Sequence, residues 1–544
     1  MVPLHQMFIA TSKKYSSEIA IVDRNLRKNI TYGRALIGAL LLARRFRKYQ
    51  DGYLGIMIPN SSGSILAILA TLFAGKVPVM INYSTGAAEN SEFAQQKCSF
   101  HTIITSRALL EKLGCRLVPG MVFIEDIVGS VSKYEKLLAA VKSKLPIFLL
   151  QNLVHRGDLE ETAVILFTSG SEKAPKAVEL THRNISSNIK TANQAFEFKH
   201  EDRMLAILPY FHVFGHMANF WLPLSLGMRL VVYANPLDFK TVVRIIHEEK
   251  ASLVFGTPYF LMGYLKQAKK GDLESIRLLI ASADKLPVTL REAYKEKHDI
   301  EIIEAYGATE TSPVISSNLP DANKPGSVGR ILPGIQVRIT DIDTGEDLPT
   351  GEEGNILVKG DLVMKGYLDD LEETALKIKN GWYETGDMGM LDEDGFLWHK
   401  GRLKRFAKIG GEMVSLVRVE SELVKRLAED HECCVVEVPD ARKGAMIVVA
   451  MTADCDCKEL NQKLAKDLPT ISLPKRYFVF EELPKMGSGK IDFRTTTEMV
   501  KSTLRKETEE AEEKRLVKKK SANEKPDDND SSDTASSDDG SKSS

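Results

Sequence analysis

Short apolar runs alternate with helix-period stretches through the first three hundred or so residues of this chain. Gly55–Ile58, Val77–Ile81, Ala163–Phe167, Met204–Leu208, Leu230–Tyr233, Leu253–Phe255, Leu278–Ala281 and Glu301–Glu304 are predicted strands. Pro59-Asn60-Ser61-Ser62 reads as a turn and helix start, followed by a helix over Ile65–Phe73. A run that is apolar throughout belongs to a strand covered on both faces, and strands separated by helices are joined by crossovers and run parallel. The rhythm therefore predicts an α/β protein of parallel sheets sheathed in helices. Ligands of such sheets gather beyond the C-terminal ends of the strands.

At 544 residues the chain exceeds one hydrophobic core, so two or more domains are expected. Residues 1–401 form the expected large N-terminal domain. Within it, about 326–400 changes character: Gly and Asp turns separate the short strands Gln336–Thr340, Asn355–Lys359 and Gly395–His399, predicting a small β-barrel subdomain. Residues 406–505 carry the helix–strand pattern of a smaller α+β domain. Residues 506–544 turn to Glu/Lys and then Asp/Ser with almost no apolar side chains, the composition of a disordered tail.

Charge narrows the function classes. A formal net charge of −1 argues against a nucleic-acid binder driven by bulk electrostatics. No apolar run reaches the ~20 residues of a spanning helix, since His212, His216, Pro223 and Arg229 interrupt Leu205–Val232. The start Met1-Val2-Pro3-Leu4 has neither a basic stretch nor an apolar core, which predicts a cytoplasmic protein and leaves peripheral attachment to the inner membrane open. Six scattered cysteines are expected as reduced thiols. His431, Cys433, Cys434, Cys455 and Cys457 match no standard zinc spacing.

Beyond the strand Ala163–Phe167 comes Thr168-Ser169-Gly170-Ser171-Glu172-Lys173-Ala174-Pro175-Lys176. Thr168, Ser169, Gly170 and Ser171 offer hydroxyls and N–H groups with little bulk, and Lys176 adds a mobile point charge, so the stretch can cradle a phosphate. It is not the common nucleotide loop, because Pro175 and Ala177 stand where that loop has Gly and Ser/Thr. Ala305-Tyr306-Gly307-Ala308-Thr309-Glu310-Thr311 follows a later strand. Gly307 permits a tight turn, Tyr306 offers a flat face to a base, and Thr309 and Glu310 offer hard oxygens of the kind Mg²⁺ prefers.

These two stretches, in this order, resemble the phosphate loop and the Tyr-Gly-x-Thr-Glu motif of the adenylate-forming superfamily of acyl-CoA synthetases. The loop departs from the usual pattern at Glu172 and Ala177. Ser-Gly-Ser-Glu, Pro78-Val79-Met80-Ile81-Asn82-Tyr83 and the Arg405-Phe406-Ala407-Lys408-Ile409 stretch are similar to acyl-acyl carrier protein synthetases, including the synthetase half of acylglycerophosphoethanolamine acyltransferase. The resemblance runs from about residue 50 to 494. It implies ATP and Mg²⁺ as cofactors, with Tyr306 on adenine, Thr309 on the α-phosphate and Glu310 on the metal. It places Ala283 of Ser282-Ala283-Asp284 in the adenine pocket, although the family's glycine is missing there. Asp387 of Thr385-Gly386-Asp387 and Arg402 are its ribose ligands, and Lys404 is a hinge within 402–405 about which the small domain moves. Lys490 of Met486-Gly487-Ser488-Gly489-Lys490 is its catalytic lysine, and His212 lies at the acyl carboxylate and gates the acyl tunnel. For His216 a packed core histidine is the better reading.

The implied reaction activates a fatty acid as acyl-AMP and passes it to the phosphopantetheine thiol of acyl carrier protein. Coenzyme A is the alternative acceptor, and a non-catalytic binding module on the same fold is the remote one. A pantetheine channel is implied near Gly410–Glu412. Lys404, Arg405, Lys408, Lys425 and Arg426 are candidate docking charges for an acidic carrier, though an exposed amphipathic helix explains Lys425 and Arg426 equally well.

Overall fold

The computed structural model describes residues 1–168, 175–409, 412–427, 431–440, 444–452, 456–485 and 491–507. Two large sheets form the body of the protein. In the first, Arg203–Ala206, Arg229–Val232, Ile19–Asp23, Leu253–Gly256, Leu278–Ala281 and Ile302–Gly307 run parallel, and antiparallel strands close both edges. In the second, Tyr53–Met57, Val77–Met80, Ile103–Thr105, Met121–Phe123 and Thr162–Phe167 run parallel. Ala177–Thr181 then turns back antiparallel to Thr162–Phe167 and pairs with Gly366–Tyr367 on its other side. Each predicted strand is present within two or three residues of its expected ends.

One apolar core spans both sheets and the helices between them. A polar joint aligns the sheets. Asn60 donates to the Leu208 carbonyl at 2.7 Å and accepts from the Tyr210 N–H at 3.3 Å. Buried Asp23 accepts from both the N–H and the hydroxyl of Ser62 at 2.7 Å each. Ser61 and Ser64 cap the helix Ser62–Phe73 reciprocally, so the turn read from the sequence is also its start signal.

The turn-rich stretch folds as a five-stranded antiparallel half-barrel, with Gln336–Thr340, Gly354–Lys359, Trp382–Leu391 and Leu397–Arg402 as its longer strands. Beyond it a smaller body is built on the three-stranded sheet of Cys433–Asp440, Gly444–Met451 and Arg476–Val479, with its own apolar clusters on both faces. Among the described residues no helix is long and apolar enough to cross a membrane, and no group of three or more His, Cys, Asp or Glu side chains could hold a metal ion.

Candidate active site

The loop after Phe167 is the tip of an antiparallel hairpin in which Phe167 pairs with Ala177. Its base is tied twice: the Thr168 N–H donates to the Lys176 carbonyl at 3.0 Å, and the Lys176 N–H donates to the Thr168 hydroxyl at 3.2 Å. Ser169, Gly170 and Ser171 lie outside the described residues. The Lys176 ammonium pairs with Glu373 and stands 4.8 Å above the Tyr367 ring.

From the other sheet, Ile302–Gly307 delivers the second motif. At Gly307 a Cβ would lie 1.9 Å from the Pro313 carbonyl oxygen, so the chain folds back on itself there only because the side chain is absent. Thr309–Thr311 then makes one 3₁₀ turn. The Thr311 hydroxyl and the Ala308 N–H both donate to Pro313, at 2.7 and 3.2 Å. Asn188, from the helix His182–Phe196, clamps Val314 through both ends of its carboxamide. This turn aims Glu310 at the second sheet, where its Oε1 accepts from the Tyr367 hydroxyl at 3.0 Å. Burial, and then the Glu310 charge, raise the Tyr367 hydroxyl well above the usual phenol range. Gly307→Ala forces two backbone segments apart and should cost about 1–3 kcal/mol of stability, read as a lower urea midpoint. It should displace Glu310 from Tyr367 as well.

The half-barrel supplies the third part. Asp387 is buried, and its Oδ2 accepts from the Tyr306 hydroxyl at 2.6 Å. Its Oδ1 faces His399 Nε2 at 3.7 Å and Arg402 Nε at 3.6 Å. The Tyr306 and His399 rings lie 5.1 Å apart. A β-bulge produces this convergence. His399 and Arg402 are three apart and would point to opposite faces of a regular strand. The register shift between Met388 and Gly389 leaves Lys400 unpaired, which turns both toward Asp387. Burial alone would raise the Asp387 carboxyl, but the His399 ring, Arg402 and the Tyr306 hydroxyl hold it below the usual carboxylate value. Arg402 also feels Glu310, and the two carboxylates together raise its guanidinium pKa against the effect of burial. Its side chain keeps 67% of its surface accessible, with Nε turned toward Asp387.

Ala283 follows the strand end Leu278–Ala281 in the left-handed region, with φ of 75°. This is the conformation that glycine adopts without strain and alanine does not. Its neighbour Ser282 donates to the Ala305 carbonyl at 2.8 Å, which ties it to the Tyr306 strand. His212 is half-buried beyond the strand end Ala206, its ring 4.6 Å from Phe211, which in turn meets Tyr83 edge-on at 4.8 Å. His216 is a core residue, as expected. Its Nε2 accepts from Trp221 Nε1 at 3.2 Å, so Nδ1 carries the proton and donates to the Tyr210 carbonyl, and burial lowers its pKa to about 4.

Thr309, Glu310, Tyr306, Lys176, Thr168, Asp387 and Arg402 thus meet through direct contacts or shared elements. His212 and Ala283 stand at neighbouring strand ends. Lys490, Gly410, Gly411 and the Lys404 side chain lie outside the described residues, as does the tail from 508. Two docking charges need correcting. Arg405 is engaged with Glu420 at 2.6 Å and stacked 4.1 Å from the Phe493 ring, and Arg426 is taken up by Glu422 and Asp467. Lys408 remains exposed, and Lys425 is exposed beside Glu422. The sequence reading did not single out Tyr367, Glu373 or His399. The first two sit in no motif and reach the site only through the pairing of Gly366–Tyr367 with Ala177–Thr181. For His399 the signal was its closeness to Arg402, hidden by the bulge.

Comparison with known proteins identifies the family and the fold. The profile of the AMP-binding enzyme family matches residues 8–368, and that of the AMP-binding enzyme C-terminal domain matches 419–490. The chain is 30% identical over 503 residues to a long-chain-fatty-acid–CoA ligase of Bacillus subtilis, covering 85% of this chain and 89% of that one. It is 26% identical over 513 residues to 4-coumarate–CoA ligase 2 of Petroselinum crispum, covering 90% and 92%. ATP-bound MatB from Rhodopseudomonas palustris shares its fold with a TM-score of 0.80 at 24% identity, over 92% of this chain and 99% of that one. An o-succinylbenzoate CoA synthetase from Bacillus subtilis, solved with its acyl-adenylate, superposes with a TM-score of 0.79 at 22% identity, over 91% and 97%.

Proposed function

This chain belongs to the AMP-binding enzyme family, and from that premise we propose that it activates a fatty acid with ATP as acyl-AMP and transfers the acyl group to the phosphopantetheine thiol of acyl carrier protein. The observation that supports the adenylating half is the meeting of Lys176, Glu310, Tyr306, Asp387 and Arg402, carried by three separate sheets, through Tyr367 and a chain of direct contacts. A carboxylate is a poor electrophile, and a thiol does not displace oxide from it. Attack of a carboxylate oxygen on the α-phosphorus, with pyrophosphate leaving, turns that oxygen into part of a good leaving group, AMP.

On this reading Thr168, Ser169, Gly170, Ser171 and Lys176 hold the β- and γ-phosphates, and Thr309 holds the α-phosphate. Asp387 and Arg402 take the ribose hydroxyls, while Tyr306 and Ala283 border the base. Glu310 fits Mg²⁺, because a carboxylate has two hard oxygens and Tyr367 takes one. When bound, the ion neutralises phosphate charge. Lys176 exchanges Glu373 for phosphate as the nucleotide enters. Lys490 meets the charge that develops between carboxylate and phosphate, and His212 borders the acyl carboxylate. Catalysis is positioning plus preorganised electrostatics. Lys404 is the hinge that withdraws Lys490 for the thiol step. The carrier is favoured by the Ser-Gly-Ser-Glu loop and exposed Lys408.

A second reading, transfer to coenzyme A, is favoured by the likeness to the bacterial fatty-acid–CoA ligase. The test offers fatty acids of several lengths with both acceptors, following ATP–pyrophosphate exchange and thioester formation. Exchange that depends on fatty acid, with thioester on the carrier, is the expected result. Thioester on coenzyme A alone replaces the acceptor, and no exchange with any fatty acid overturns the whole reading.

A further inference from the structure

We propose that the helix pair 133–153 is a docking surface for an anionic lipid bilayer. The two helices, Lys133–Ser143 and Ile147–Leu153, connect two strands of the second sheet and lie on the outside of the protein. The first turns Ala139 and Ser143 inward, where they are buried. On its opposite face Tyr134, Leu137 and Val141 point out at i, i+3 and i+7, with 71%, 63% and 58% of their surface accessible. After the break at Pro146 the second helix buries Leu150 and exposes Ile147, Phe148, Leu149 and Leu153, with Phe148 at 63%. Seven large apolar side chains left exposed on two consecutive helices mark an interaction site rather than the scattered exposure of an ordinary surface.

The charges around this face select its partner. The two helices and their link, residues 133–153, carry Lys133, Lys136, Lys142 and Lys144 against one acid, Glu135. That acid is already occupied by Arg45 at 2.9 Å and by the Ser132 N–H at 2.9 Å. At 3.6 residues per turn, Lys133 and Lys142 fall on opposite flanks of the Tyr134–Leu137–Val141 stripe. An apolar stripe edged by lysines is the pattern of a helix lying in a membrane interface, its rings and aliphatic tips in the acyl boundary and its ammonium groups at anionic headgroups. A second copy of the chain is a poorer partner. A two-fold contact through this face would set the same lysine rows against themselves. The inference concerns adsorption alone and does not depend on the reaction proposed above.

The full chain, without nucleotide, is sedimented with vesicles of phosphatidylcholine and with vesicles of phosphatidylcholine mixed with phosphatidylglycerol. Binding is expected to be at least about tenfold stronger to the anionic vesicles and to weaken as salt rises. Leu137→Ser with Phe148→Ser should lower it by about tenfold or more, and Lys133→Gln with Lys142→Gln should remove most of the anionic preference. Thermal melts unchanged from wild type establish that these variants fold. The proposal is overturned if the wild type shows no preference for anionic vesicles, or if folded variants bind as it does. It is overturned equally if the wild type is a dimer that the apolar variant dissolves, with vesicle binding unaltered.

Discussion

Acyl-adenylate formation is expected to fall by about 10²–10³-fold in Lys490→Ala, the scale of losing one preorganised donor, while thiol transfer from preformed acyl-adenylate survives. The first half-reaction brings a carboxylate anion onto a phosphate anion, so a cation at that junction acts in the transition state. In the second half-reaction a thiol attacks the acyl carbon, and the same cation has no such task. Lys485 and Ile491, which flank the lysine's segment, pair as an isolated bridge. Lys485 bonds Glu432 at 2.7 Å, and its ammonium stands 5.8 Å from the Tyr259 ring. Tyr259 opens a helix directly after the strand end Gly256, on the edge that carries Ser282 and Ala283. Lys485 therefore stands beside the strand edge that carries Ser282 and Ala283. Single-turnover measurement of each half-reaction is the check. Equal losses in both would remove the proposal that Lys490 serves only one of them.

The second large effect is expected at Asp387. Asp387→Asn keeps an acceptor for the Tyr306 hydroxyl but removes the charge that faces Arg402 and His399. Losing a charge-assisted pair of hydrogen bonds to the ribose should cost about 2–4 kcal/mol. That would raise KM for ATP roughly 30- to 1,000-fold, while the urea midpoint stays close to wild type. Asp387→Ala should lose stability as well, because the buried Tyr306 hydroxyl is left without its partner, at about 1–3 kcal/mol. Tyr306→Phe in the alanine background should recover part of that stability and none of the nucleotide affinity. If KM for ATP is unchanged in Asp387→Asn, the ribose role is wrong.

Much of this was legible in the letters. Continuous apolar runs announce strands covered on both faces, so the parallel sheets followed from pattern alone. The motif residues Thr168, Lys176, Tyr306 and Glu310 are legible because they stand at or beside the ends of those runs, where ligands of such sheets gather. What stayed hidden is whatever depends on pairing between distant segments. Ala177–Thr181 is absent from the predicted strands, and it runs antiparallel and brings Tyr367 and Glu373 to Lys176. The convergence of His399 and Arg402 on Asp387 needs a one-residue register shift that alternation cannot announce. Arg405 looked like a surface charge because its partners, Glu420 and Phe493, come from elsewhere in the chain.

That same Arg405 bounds the connection between the two bodies. Arg402 is still in register with Asp387 in the half-barrel, whereas the Arg405 side chain is already seated against Phe493 in the smaller body. Only Leu403 and Lys404 lie between these anchors, so any swing of one body against the other is funnelled through two pairs of backbone torsions. A joint that short transmits orientation faithfully, and the orientations open to it are set by which torsional wells those residues can occupy.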